Sequence, residues 1–195
     1  MNNLKIGTRL GIGFAVPLLL MVIIAVISYT RLATLGNEVQ DMAHDKFPKV
    51  VMANELVGSI NLIARQLRNA YIVPDAAEKK RALDTVDEQR RVIDGLVQKL
   101  EASIRTDAGK EKLRAIQARR TAYRAQQDVA IRLIQQGASS EEFSALLTGN
   151  LRKEQTTYLN AIAELVRYQT ELMEESGKNS AAVVAGAQTL LLGLS

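Results

Sequence analysis

The stretch that decides the fold is Leu83–Ile104, LDTVDEQRRVIDGLVQKLEASI, whose apolar side chains recur at alternating spacings of three and four residues. The recurring positions are Leu83, Val86, Arg90, Ile93, Val97, Leu100 and Ile104, six apolar residues and one arginine. Such a 3.5-residue period is typical of helices that pack side by side along a seam. We therefore predict a helix over residues 76–104, which Asp75 caps, with Glu78 three residues further on.

The same pattern continues on the carboxyl side of this stretch. A third bundle helix is predicted over residues 108–136, capped by Thr106 or Asp107 and ended by Gly137. Its seam holds Leu113, Ile116, Arg120, Tyr123, Gln127, Ala130 and Ile134. The last helix starts at Ser139 or Ser140, and Thr148-Gly149-Asn150 interrupts or bends it. Its seam holds Leu151, Gln155, Tyr158, Ile162, Leu165, Gln169 and Leu172.

On the amino side, residues 31–72 predict one long helix that Pro48 kinks or loosens. Its apolar residues at helical spacing are Leu56, Ile60, Ile63, Leu67 and Tyr71. Pro74-Asp75 ends it. Four long helices with three short connections predict an all-α fold, an antiparallel up-down-up-down four-helix bundle.

The segment Leu10–Thr30, LGIGFAVPLLLMVIIAVISYT, carries no charge. Its 21 residues rise about 31 Å as a helix, which is close to the thickness of a bilayer's hydrocarbon core. A cleaved signal peptide is the alternative, but the run is long for one and lacks a good small-residue cleavage site. We predict a transmembrane helix over residues 10–30, which anchors the bundle to a membrane.

Positive charge sets the expected orientation of this helix. Lys5 and Arg9 precede it, and the first acid in the chain is Glu38. By the positive-inside rule, residues 1–9 are cytoplasmic and residues 31–180 form a domain outside the membrane. Residues 181–195 are again uncharged but rise only about 22 Å. We expect them to be the start of a second, truncated transmembrane helix in a longer protein.

Composition excludes several classes of function. All 21 acids and 23 of the 25 bases lie between Arg31 and Ser180, so that region has a charge near +2. This balance, with 4% aromatic residues and no Trp, argues against nucleic-acid binding. The chain has no Cys and one histidine, His44. Asp41 and Asp45 lie near it at a spacing that resembles a metal site only weakly, and we favour a solvated polar patch instead. No group of residues in the sequence has the spacing of a catalytic site, so we do not expect an enzyme, and we expect no metal or cofactor.

Polar side chains interrupt the predicted core in one layer. Arg90 lies 15 residues after Asp75, and Tyr123 lies 14 residues before Gly137, so both sit about 21–22 Å from the same end of the bundle. Arg120 lies one turn away, and Tyr158 falls at a comparable level. Arginine prefers carboxylate or phosphate partners. The cluster of Arg90, Arg120, Tyr123 and Tyr158 is thus a candidate site for a small anion, and two arginines favour a multi-carboxylate acid.

Two structural interpretations of these arginines stay open. Arg90 could reach the surface along its aliphatic stem. Arg120 could form an ordinary interhelical salt bridge, for which the available acids are Asp87, Asp94 and Asp128.

A second polar group lies on the first bundle helix. Asn61, Arg65, Arg68 and Ile72 form a stripe beside the apolar face. This stripe could line a homodimer interface at which anions bind, and the alternative is a solvated basic face.

The opening NLKIGTRLGIGF (residues 3–14), followed by the apolar helix, resembles the start of bacterial methyl-accepting chemotaxis receptors. That resemblance implies a homodimeric receptor in the inner membrane, with a periplasmic four-helix sensor. It also implies ligand-contacting arginines in the segment Arg65–Tyr71, for which Arg65 and Arg68 are the matching positions. Arg120 and Tyr123 match an Arg and Tyr pair that some citrate- or malate-binding relatives use. Contacts with the chemotaxis kinase and coupling protein would belong to a cytoplasmic part that this sequence lacks.

The expected function is therefore transmembrane sensing of a small organic acid or amino acid in chemotaxis. A bound ligand would favour one axial or rotational position of the last helix. The same sensor on a histidine kinase or nucleotide cyclase is one alternative. A structural membrane-anchored bundle without ligand is another.

Overall fold

The computed structural model describes residues 6–194, and these residues are helical apart from short connections. The elements in chain order are α1 (Ile6–Asp41), a π-helical turn (Met42–Lys46), α2 (Phe47–Ile72), α3 (Ala76–Ser103), α4 (Asp107–Gln136), α5 (Ser140–Thr148) and α6 (Asn150–Leu194). The predicted all-α four-helix bundle is confirmed, with α5 and the start of α6 together forming the fourth helix.

The chain divides into two compact units. Residues up to His44 and residues from Met173 belong to one unit, and Asp45–Leu172 form the other. The second unit contains the bundle. Its core holds the apolar seam residues that the 3.5-residue period predicts, such as Val86, Ile116 and Ile162, each fully buried. Ala82 and Leu96 are also buried although they lie off the predicted seam, because a bundle helix contacts more than one neighbour.

Side chains cap the bundle helices where the sequence predicts. Asp75 accepts the Glu78 backbone N–H at 2.8 Å, and Thr106 accepts that of Gly109 at 3.2 Å. Ser139 and Glu142 form a reciprocal capping box at the start of α5. These caps satisfy N–H groups that have no partner inside their own helix.

The connection between α1 and α2 differs in detail from the predicted single helix over residues 31–72. The chain stays helical, but a π-helical turn at Met42–Lys46 ends two residues before Pro48. Proline has no N–H to offer the carbonyl four residues earlier, whereas a π turn pairs each carbonyl with the N–H five residues on. The expected loosening therefore takes the form of a π turn.

Within the described residues, one helix is long and apolar enough to cross a membrane. It runs from Leu10 to Ile72, and its most apolar window has a mean hydropathy of 2.9 and no buried residues. Residues 1–5 of the predicted cytoplasmic segment lie outside the described residues, as does Ser195 at the end of the predicted second span. The predicted domain boundaries and the truncated second span stay predictions.

Candidate functional site

The predicted polar layer forms inside the bundle. Arg90 on α3, Arg120 and Tyr123 on α4, and Tyr158 on α6 line one crevice of about 10 Å³. That volume is about the space one water molecule needs. The structure thus brings together the four residues that the sequence places at one level, but in a closely packed arrangement.

Arg90 is held by partners inside the protein. Its Nε donates to Gln127 Oε1 at 2.8 Å, and its Nη2 donates to Asp128 Oδ1 at 2.7 Å. Asp87, one turn earlier on α3, lies 3.5 Å from Nη1. The side chain is 11% exposed, so the charged group lies near the surface while its stem is buried.

Arg120 also has an acidic partner. Its Nη2 donates to Asp94 Oδ1 on α3, and the other carboxylate oxygen of Asp94 lies 3.6 Å from Arg124 Nη1. The salt-bridge interpretation of Arg120 is therefore the one that the structure shows. The acids Asp94 and Asp128 offset the positive charge of this layer.

The two tyrosines of the layer are the most deeply buried of its polar groups. Each is 1% exposed, and their ring centroids lie 6.2 Å apart. Neither hydroxyl has a hydrogen-bond partner among the described residues. Burial raises the pKa of both hydroxyls, and this effect outweighs the opposite influence of Gln127 on Tyr123 and of Arg120 on Tyr158. Both therefore remain neutral hydrogen-bond donors at neutral pH.

A larger site lies on the bundle surface between α2 and the α5–α6 break. We call it the α2/α6 groove, and its volume is about 480 Å³. It is lined by Ala64, Arg68, Leu147, Thr148, Leu151, Arg152 and Gln155. The lining holds two arginines, a hydroxyl and an amide, but no acid. In the part of the chain that the structure describes, no ion pair engages Arg68 or Arg152, so the groove keeps its positive charge.

Comparison with known proteins identifies the type of domain. A family described as a four-helix-bundle sensory module for signal transduction matches residues 3–184. The chain belongs to this family. No curated protein matches the sequence. The sensory module is a signal-transduction domain, and no enzyme family was found for the chain.

The remaining predicted residues of the sensory module lie on the outer face of α2. Asn61, Arg65, Arg68 and Ile72 are all exposed, and Ile72 is 73% exposed. Asn61 Oδ1 accepts a long hydrogen bond, 3.4 Å, from Gln155 on α6. Arg65 lines neither the crevice nor the groove. Of this stripe, Arg68 lines the α2/α6 groove.

Thr148 and Arg152 of the sensory module line the groove, although the sequence does not predict them as site residues. One signal for them exists, because α2 and the fourth helix are antiparallel and Tyr71 stacks on Phe143 at 3.9 Å between centroids. Counting three residues back along α2 and three forward along α5 from that pair brings Arg68 to the level of Leu146, two residues before Thr148. The pairing of Tyr71 with Phe143 is a tertiary contact, and the sequence does not reveal it.

A metal centre has no support among the described residues of the sensory module. No group of three His, Cys, Asp or Glu side chains there is placed to hold a metal ion. His44, which the sequence places near Asp41 and Asp45, is exposed in the π-helical turn.

Proposed function

We propose that this sensory module is the front part of a transmembrane chemoreceptor of the methyl-accepting type. It binds a small organic anion in the periplasm and signals across the bacterial inner membrane. The family match, the apolar helix at Leu10–Thr30 and the resemblance of residues 3–14 to such receptors support the proposal. Sensory modules of this kind typically lie outside the cytoplasm, in keeping with the charge asymmetry around the apolar helix.

The anion binds in the α2/α6 groove. The observation that carries this assignment is the pair Arg68 on α2 and Arg152 on α6, two guanidinium groups in the lining of one groove that have no acidic partners in the described structure. Guanidinium groups bind carboxylates with paired, charge-assisted hydrogen bonds. Thr148 and Gln155 add neutral groups that can orient the anion.

The interior crevice is a second position for the anion. Two buried tyrosine hydroxyls without partners among the described residues favour it. Occupation requires the crevice to widen from about 10 Å³, and Arg120 and Arg90 to exchange Asp94 and Asp128 for the ligand's carboxylates. The groove needs neither change, and we therefore place the anion there.

Thermal unfolding of the full chain in detergent against a panel of organic acids and amino acids tests the proposal. A ligand that binds only the folded state, at a hundred times its Kd, stabilises by about 2.7 kcal/mol. Calorimetric titration with the best stabiliser then compares Arg68→Ala, Arg152→Ala, Arg120→Ala and Arg65→Ala. Lys153→Ala is the matched control, since Lys153 is exposed and adjacent to Arg152 but does not line the groove.

The outcomes separate the sites. Loss of binding in Arg68→Ala and Arg152→Ala, with binding retained in Arg120→Ala and Lys153→Ala, supports the groove. The reverse pattern moves the anion to the interior crevice. If no anion in the panel raises the melting temperature, the chain is not an anion sensor, and a structural bundle becomes the better interpretation.

The receptor is a homodimer in this proposal, and the exposed stripe of α2 is its interface. The stripe recurs every three or four residues along α2. Toward the start of the helix the same spacing reaches two exposed apolar residues, Val51 and Phe47. Light scattering of the full chain with Val51→Glu, which places a charge on this face, tests it. A dimer that persists unchanged in this variant would place the interface elsewhere.

The kind of output decides which class of receptor carries this sensory module. Chemotaxis output requires a cytoplasmic region that contacts the chemotaxis kinase and its coupling protein, whereas a kinase or cyclase domain would make this a different receptor. Sequencing the gene downstream of Ser195 distinguishes them. A long heptad-rich hairpin supports chemotaxis, and a kinase ATP-binding motif overturns it.

A further inference from the structure

The fourth helix of the bundle is broken at Gly149, between α5 and α6. The Gly149 backbone is not helical, although its N–H still reaches the Ala145 carbonyl at 3.0 Å. A Cβ atom at this position would lie 2.6 Å from the same carbonyl oxygen. Only glycine fits there without displacement of the backbone. The break is therefore a property of the residue type as well as of the packing around it.

The α5 side of the break is fastened to α2. The ring of Tyr71 stacks on Phe143, with centroids 3.9 Å apart and planes within 9° of parallel. The Tyr71 hydroxyl donates to the Ala138 carbonyl at 3.3 Å, just before α5. Phe143 is 1% exposed, and the Ser139 capping box fixes the first turn of α5. These contacts hold α5 and the end of α2 together.

The α6 side is held by fewer directional contacts. Leu151 is buried, which keeps the first turn of α6 against the core. The side-chain hydrogen bond from this region to α2 is the long one between Gln155 and Asn61, 3.4 Å. Arg152 makes no side-chain hydrogen bond or ion pair within residues 6–194 of the described structure. The start of α6 can therefore shift at lower cost than α5.

The α2/α6 groove spans this break. Arg68 belongs to α2, Thr148 to the end of α5, and Arg152 to the first turn of α6. An anion that binds both guanidinium groups attracts the first turn of α6 toward α2, which is held to α5. A ligand can shift such an equilibrium only through its different affinity for the two positions, and the Arg152 contact supplies that difference.

We propose that Gly149 is a joint at which α6 shifts relative to α5, and that Arg152 is the positioning residue through which an anion in the groove drives the shift. The proposal rests on the anion site of the proposed function. The scale we expect is that of helix shifts in switching proteins, about 1–2 Å. Since α6 is one helix from Asn150 to Leu194, a displacement of its first turn is passed along its axis.

The test replaces the anion by a carboxylate of the protein itself. Arg152→Glu places a negative group opposite Arg68 and needs no ligand. The chain contains no cysteine, so two introduced cysteines carry spin labels at unique positions. The moving pair is Glu141→Cys with Thr170→Cys, and the reference pair is Glu141→Cys with Glu55→Cys, which lies off the proposed dimer stripe. All three sites are exposed, on α5, α6 and α2 respectively.

In full-length protein in detergent, we expect Arg152→Glu to change the moving-pair distance by about 1–2 Å and to leave the reference pair unchanged. Arg152→Gln, which removes the charge without reversing it, is the matched control and should leave both distances as in the parent. Introduced into Gly149→Ala, Arg152→Glu should cause no further change relative to Gly149→Ala alone. Arg68→Glu is the reciprocal variant, with the same expected shift through Arg152.

Equal distances in Arg152→Glu, Arg68→Glu and the parent, in variants whose circular dichroism shows the parent fold, would overturn the joint. So would an equal shift in Arg152→Gln. This result is independent of the thermal-unfolding panel. If no anion raises the melting temperature but Arg152→Glu shifts the moving-pair distance, the anion-sensor proposal is wrong and the joint at Gly149 is supported. If an anion binds but no variant shifts the distance, only the joint is wrong.

Discussion

Tyr123 and Tyr158 meet in the middle of the bundle with ring centroids 6.2 Å apart, and neither hydroxyl has a hydrogen-bond partner among the described residues. The rings fill the core as apolar side chains do, while each hydroxyl loses its contacts with water. An uncompensated buried hydroxyl costs about 1–3 kcal/mol. The layer therefore lowers the stability of the bundle.

Tyr158→Phe should leave the free energy of unfolding unchanged or raise it by about 1 kcal/mol, because the variant keeps the ring and removes a buried group without a partner. Urea unfolding of the full chain in detergent measures this change. Tyr168→Phe is the control, since the Tyr168 hydroxyl donates to Thr106 Oγ1 at 2.9 Å. The control should lose about 0.5–1.5 kcal/mol. A larger loss in Tyr158→Phe than in Tyr168→Phe would show that the Tyr158 hydroxyl has a stabilising partner.

The stability of the bundle should fall at high pH because of the same two residues. Burial raises the pKa of Tyr123 and Tyr158 above the ordinary value near 10. Below about pH 9 the folded and unfolded states both keep these protons, and the contribution is constant. Above about pH 10 the unfolded chain releases protons that the folded chain retains. The free energy of unfolding then falls by up to about 1.4 kcal/mol per pH unit for each tyrosine.

Urea unfolding at about pH 9 and about pH 11 measures this dependence. The double variant Tyr123→Phe, Tyr158→Phe lacks both hydroxyls and should lose less stability over the interval than the parent. Parallel losses in the two proteins would mean that other groups cause the alkaline destabilisation.

Arg90→Ala should cost about 1–3 kcal/mol, because it leaves the buried Gln127 amide without the guanidinium that donates to it at 2.8 Å. Arg91→Ala is the matched control. Arg91 is the next residue along α3 and is exposed, so its loss should change the free energy of unfolding by less than about 0.5 kcal/mol. Thermal or urea unfolding compares the two. Equal effects would show that the Arg90 contacts contribute no more than a surface charge does.

Gly137→Ala should destabilise the protein by about 1 kcal/mol, because Gly137 ends α4 with a φ of +69°, where a Cβ atom is strained. Gly95→Ala makes the same chemical change inside α3, where a Cβ atom meets nothing within 4 Å. We expect it to stabilise by about 0.5–1 kcal/mol, since alanine has the higher helix propensity. The two melting temperatures should move in opposite directions, and a shift of the same sign in both would contradict this account.

Much of the architecture could be predicted from local sequence. The seam at Leu83–Ile104, the caps at Asp75 and Thr106, and the terminating Gly137 each depend on neighbours within a few residues. Counting residues from the helix ends also places Arg90 and Tyr123 at one level, since the helical rise is constant. In the structure these two residues line one crevice together with Arg120 and Tyr158, at the level that the count predicts.

The partners of those residues did not follow from the sequence. Three acids were within reach of Arg120, and the structure pairs it with Asp94 while Asp128 pairs with Arg90. A guanidinium on a long side chain can reach several turns of the neighbouring helix. The choice depends on the register and rotation of α3 against α4, which local spacing leaves open.

The sequence by itself determined the helices, their order, the apolar faces they bury and the apolar segment that precedes them. These follow from backbone periodicity and hydrophobicity, which act within a helical turn or two. Tertiary structure decided which polar residues meet. It closed the layer around Tyr123 with internal ion pairs, and it opened a groove between Arg68 and Arg152. The physical reason is that two residues 84 positions apart meet only when two antiparallel helices adopt one register, and the whole core fixes that register.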